Sequence, residues 1–200
     1  MQKYIAFISG LPFGGDDGEV QKVRALFQRL GFSNVETFHG RDTVIFETAP
    51  VGVIGPLEAQ ISRHLKRSLD LDHVWTFIRT PAELNEVVKS APFDPERVEN
   101  VVSFLVLLSE EPDDRTARAL RIRRNDCDEL TPAGKHIYWV RRESDDAGPP
   151  SSVGEIIDAP ATVRSFRTIS RLAEQYSSRA STRSSKSAPG DSTQSERSRR

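Results

Sequence analysis

The sequence predicts an α+β protein of two small α/β-sandwich lobes, the first ferredoxin-like, followed by a disordered C-terminal tail. Three observations predict it. Short β-branched and aromatic runs alternate with amphipathic stretches in the order β-α-β-β-α-β over residues 1–80. A similar order recurs over residues 81–176, and residues 177–200 carry no large apolar side chain.

The apolar run Lys3–Ser9 reads as a buried strand. From Glu19, apolar residues at Val20, Val23, Leu26, Phe27 and Leu30 recur at helical spacing, and Gly31 stands where a helix C-terminus needs a left-handed residue. Two short strands follow, residues 34–40 and 42–48, joined near Gly40-Arg41. A second helix over residues 56–69 places Leu57, Ile61, Leu65 and Leu69 on one side, and a strand over residues 73–79 closes the first lobe.

Pro81 suits the first turn of a third helix, which Pro92 is expected to stop. Residues 98–110 form the most apolar strand of the chain, residues 113–122 a short helix. Strands are expected at 127–130 and 135–142 around a Thr131-Pro132-Ala133-Gly134 turn. After a loop at 143–152, helical segments near Val153–Asp158 and Arg164–Tyr176 are expected to end the second lobe.

Composition narrows the function classes. The chain has 200 residues, 36% hydrophobic and 28% charged, as in soluble globular proteins. Its longest apolar run, Val101–Leu108, is far short of the roughly 20 residues a membrane span needs. No export signal is read at the N-terminus, and the single Cys127, flanked by acids, suits neither a disulfide nor a nucleophile. A cytoplasmic location is expected. The net charge of −1 divides into +4 on residues 177–200 and −5 on the rest. Without apolar side chains, that tail has nothing to offset the entropy of ordering.

Three segments resemble one bacterial family, the domain-of-unknown-function family 1697. Its opening strand, glycine-rich loop and helix look like Ser9-Gly10-Leu11-Pro12-Phe13-Gly14-Gly15 here, with three matching glycines but Ser9 and Pro12 in place of Arg and Asn. Its Asn-Pro-Phe and Phe-Leu-Ser-Glu stretches resemble Ala91-Pro92-Phe93 and Leu107-Leu108-Ser109-Glu110. Its closing motif resembles residues 162–172, retaining Thr162, Arg164, Thr168 and Leu172. The resemblance implies a two-lobed α+β fold in a divergent member; it implies no activity, substrate or cofactor.

The glycine-rich loop with Gly14 and Gly15 precedes a helix, whose free N–H groups attract anions. Asp16 and Asp17 oppose a phosphate there, and the P-loop Lys-Ser/Thr is missing, so a tight connection with an Asp cap is the favoured reading. His39, His64, His73 and His136 have no partner at metal-ligand spacing, and no metal or cofactor is expected. Asp113-Asp114 and Asp145-Asp146 read as turn residues, and no serine carries a nucleophile elbow. Tyr4, Phe7 and Phe46 occupy strand positions that RNA-binding modules use for stacking, but the acidic body favours core packing.

On the terminal helix, Phe166, Ile169, Leu172, Ala173 and Tyr176 form one stripe, and Arg164, Arg167 and Arg171 fall together opposite it. They are the candidate anion-binding face. The expectation is a small cytosolic binding or interaction protein whose ligand is unknown, a small anion being one candidate. An enzyme acting on an anionic metabolite between the lobes is the alternative, with weak nucleic-acid binding through the tail a third reading.

Overall fold

The structure, a computed structural model, describes residues 1–12, 16–93, 101–122, 128–142, 157 and 159–181, with the side chains of 177–181 excepted. The first half runs β1 (Gln2–Ser9), α1 (Asp17–Arg29), β2 (Ser33–Thr37), β3 (Thr43–Thr48), α2 (Ile54–Leu69) and β4 (Trp75–Arg79). Its sheet is antiparallel in the order β2-β3-β1-β4, the ferredoxin-like arrangement.

Alternation along β1 decides the layering. Tyr4, Ala6 and Ile8 face α1 and α2, whereas Ile5 and Phe7 face the second half of the chain. Because both faces are covered, the strand reads as one apolar run rather than an alternation. Helix α1 buries Val23, Leu26 and Phe27. The Phe27 ring meets Phe32 and Phe46 at centroid separations of 6.0 and 5.5 Å. At its start the Asp16 carboxylate accepts the Glu19 N–H at 2.9 Å, so an Asp does cap this helix.

The second half runs α3 (Pro81–Lys89), β5 (Val101–Leu108), α4 (Asp114–Ile122), β6 (Asp128–Ala133), β7 (His136–Arg142), β8 (Ala161–Ser165) and α5 (Phe166–Ser181). Its antiparallel sheet has the order β6-β7-β5-β8. Counted within each half, both sheets therefore show the strand order 2-3-1-4.

Several boundaries correct the sequence reading. Thr131, Pro132 and Ala133 belong to β6, and the turn falls at Gly134-Lys135 with Gly134 at φ 56°. Proline fits there because β6 is an edge strand, where a missing N–H removes no ladder bond. Helix α3 ends at Lys89 with Ser90 as its C-cap, short of Pro92. Arg164 lies on β8, not on a helix, since Ala161–Ser165 pairs with Phe104–Leu108. Helix α5 starts at Phe166 and continues past Tyr176 to Ser181. The helix expected near Val153–Asp158 falls outside the described residues except for Ile157, which is buried.

Three apolar clusters form the core. The first lies between the first sheet and α1 and α2, the third between the second sheet and α4. The middle one joins the halves: Ile5, Phe7 and Phe77 meet Leu105 and Tyr138 across α3 and α5. Tyr4, Phe7 and Phe46 are each at most 1% exposed and serve this packing, so they offer no stacking platform for bases. Among the described residues no helix is long and apolar enough to cross a membrane.

Candidate functional site

The two halves meet at the C-terminal ends of β1 and β5, where two arginines cross the seam. In the first half the Ile8 N–H donates to the Asp42 carbonyl at 2.7 Å; in the second, the Leu108 N–H donates to the Lys135 carbonyl at 3.0 Å. Each pair of residues supplies the carbonyls that an arginine from the other half uses.

Arg79, the last residue of β4, donates through Nη2 to the Leu108 and Lys135 carbonyls, both at 2.7 Å. Arg164 of β8 donates through Nη2 to the Ile8 carbonyl at 2.9 Å and the Asp42 carbonyl at 3.3 Å. Each also donates through Nη1 to the carbonyl of the residue before it, Ile78 at 2.8 Å and Val163 at 2.9 Å. A hydroxyl residue that starts a helix follows each: Thr80 accepts the Glu83 N–H and Ser165 the Thr168 N–H.

The surroundings of the two guanidiniums differ. Beside Arg79 lies the buried Glu58 of α2, its Oε1 3.9 Å from Nη1 and accepting the Ile78 N–H at 2.7 Å. Burial raises the Glu58 pKa, opposed by the Ile78 N–H, Arg79, Lys135 and the Ser109 hydroxyl. Burial lowers the Arg79 pKa, opposed by Glu58. His136, at the start of β7, is pushed down to about 4, first by burial and then by Arg79.

Beside Arg164 the carboxylate is that of Asp42, 3.2 Å from Nη2 and about half exposed. The Arg164 Nη1 also donates to the Thr162 hydroxyl at 2.7 Å, and the guanidinium lies 5.9 Å from the centre of the Phe7 ring. Its Nε is buried and has no hydrogen-bond partner. Burial lowers its pKa, opposed by Asp42.

Next to Arg164 opens a cavity of about 410 Å³, whose walls include Ser9, Gly10, His39, Arg41, Asp42 and Arg164. Arg41 is held by the Glu19 carboxylate and the Pro12 carbonyl. Gly10 is needed for the loop to pass: its φ is +86°, and a Cβ there would come within 1.7 Å of the His73 carbonyl oxygen. A second cavity, of about 780 Å³, lies between Lys3, Glu47, Thr80 and Tyr176. In its wall the Lys3 ammonium lies 3.1 Å from the Glu47 carboxylate, which also accepts from the Asn34 amide at 2.7 Å.

The expected arginine face is therefore not assembled. Arg167 and Arg171 are exposed on α5, while Arg164, on the preceding strand, turns into the seam. Gly14 and Gly15 lie outside the described residues, although their neighbours Gly10 and Pro12 line the cavity. Arg79, Glu58 and Arg41 escaped the sequence reading. The repeated Arg followed by a hydroxyl cap, at 79–80 and 164–165, is the pattern that marks the two crossing arginines. Among the described residues no group of three or more His, Cys, Asp or Glu is placed to hold a metal.

A family model described as protein of unknown function (DUF1697) matches residues 1–138. Among solved structures, a conserved bacterial protein from Streptococcus pneumoniae is similar at TM-score 0.59 and 14% identity, over 87% of this chain and 98% of that one. At that identity the likeness concerns the fold. No curated protein matches the chain.

Proposed function

The chain belongs to the family of unknown function DUF1697, and from that premise we propose that it is a small cytosolic binding protein that takes up a small anion in the cavity beside Arg164. The observation that carries this reading is a cavity whose wall holds two guanidiniums, those of Arg41 and Arg164. An anion there would take charge-assisted hydrogen bonds from the guanidinium N–H groups that face the cavity. The two carboxylates nearest the cavity's arginines, Glu19 and Asp42, are each about half exposed and so can give way to a ligand. An enzyme acting on an anionic metabolite at the same seam is the rival, with Ser9, His39 and Asp42 in the cavity wall as the groups it would use.

A thermal-shift screen of metabolites and nucleotides on the full chain tests the reading. A ligand at 100 times its Kd should stabilise the fold by about 2.7 kcal/mol. Arg41→Gln, which removes a cavity-wall cation outside the arginine crossing, should weaken the response. Stabilisation by no anion, or a response indifferent to Arg41→Gln, would defeat the proposal. Consumption of the ligand, followed by NMR, would favour the enzyme instead.

A further inference from the structure

We infer that the anion bound beside Arg164 is a carboxylate, because the equivalent position in the other half of the chain is filled by one, that of Glu58. The inference rests on the anion-binding reading above and specifies its ligand.

The equivalence is residue by residue. Ala6 pairs with Ile78 and Ile5 with Arg79 in the first sheet; Val106 pairs with Val163 and Leu105 with Arg164 in the second. Ile5, Phe7, Leu105 and Leu107 all enter the middle cluster, as do Leu84 and Val87 of α3 and Ile169 and Leu172 of α5. Each crossing arginine sits at the same place in its sheet and uses the same donors on the same class of acceptor. In strand order, register and crossing arginine the two described halves repeat one arrangement.

At the Arg79 crossing, the Glu58 carboxylate faces the Ile78 N–H, the Arg79 guanidinium and the Ser109 hydroxyl, with Lys135 also favouring its charge. The counterparts of the first three at the Arg164 crossing, Val163, Arg164 and Ser9, line the 410 Å³ cavity, and Asp42 stands in the place of Lys135. By the shared register the Val163 N–H is turned out from the sheet edge as that of Ile78 is. A planar carboxylate thus meets in the cavity the donor set that Glu58 meets in the protein. The volume leaves room for several further atoms, which fits a small organic acid rather than an isolated ion. The corresponding connection, residues 143–160, lies outside the described residues except Ile157, Ala159 and Pro160.

The probes are acetate, its neutral isostere acetamide, and inorganic phosphate, titrated on the full chain at constant ionic strength. The readouts are melting temperature and the Arg164 Nε–H resonance. Acetate should raise the first and shift the second, while acetamide and phosphate leave both in place. Asp42→Asn, which removes the internal competitor, should tighten acetate about fivefold, the factor for an ion pair of roughly 1 kcal/mol. Ser9→Ala should weaken it. Phosphate acting as strongly as acetate would overturn the carboxylate while leaving anion binding intact; no response to any probe would overturn both.

Discussion

Arg79 and Arg164 hold equivalent places in the two halves, and each donates hydrogen bonds to backbone carbonyls of the opposite half. The seam is thus held by two buried cations whose acceptors are main-chain atoms, above an apolar layer that both halves share. Removing either cation should loosen the junction, with a size set by what is left behind.

Arg79→Met leaves Glu58 buried without its cation, and should cost about 3–5 kcal/mol in chemical denaturation. Arg79→Met/Glu58→Met should cost less than the sum of the single changes, since the double variant strands no charge. Additive losses would mean that the two side chains do not act as a pair.

Arg164→Ala should destabilise by about 2–3 kcal/mol, because it leaves the Ile8, Asp42 and Val163 carbonyls without their charged donor. Arg171→Ala, on the exposed face of α5, should stay within about 0.5 kcal/mol of the wild type. Equal effects would contradict the placement of Arg164 on β8.

Gly10→Ala should cost more than about 2 kcal/mol, since the left-handed backbone disfavours a side chain and the new Cβ meets the His73 carbonyl. Gly134→Ala, at φ 56° with open space around it, should cost less. Thermal melts of the two variants side by side decide this.

His136 titrates at about 4 in the folded chain against about 6.5 when unfolded. The unfolded state therefore binds more protons between those values, so the contribution of His136 to stability is complete above about pH 6.5 and is lost as the pH falls towards 4. Wild type compared with His136→Gln should show a difference in stability that shrinks through that window. Glu58, whose pKa is raised, has the opposite sign as the pH rises above its ordinary value, which is why the comparison with a variant is needed.

We propose that the lobes at 1–80 and 81–176 are structural repeats rather than independent folding units. A fragment of residues 1–80 exposes Ile5, Phe7, Ile45 and Phe77 together, and should self-associate in sedimentation experiments. A stable, monomeric fragment would show that the first lobe folds alone.

Much of this was legible in the sequence. Helical spacing at Val23, Leu26 and Phe27 located α1 and its buried face, and the order β-α-β-β-α-β determined the first sheet, because periodicity and element order are carried by side chains near one another in the chain. The same spacing misplaced Arg164. Ala161–Ser165 is short and largely polar, and becomes a strand only because β5 offers it a free edge. The crossing arginines were hidden for a related reason: their partners are carbonyls, which every residue carries, so no residue type at Ile8, Leu108 or Lys135 announces them. Which groups surround the buried Glu58 carboxylate, and which line the cavity beside Arg164, depends on two sheets meeting at their ends. That meeting is decided by the shared apolar layer, and only the tertiary structure contains it.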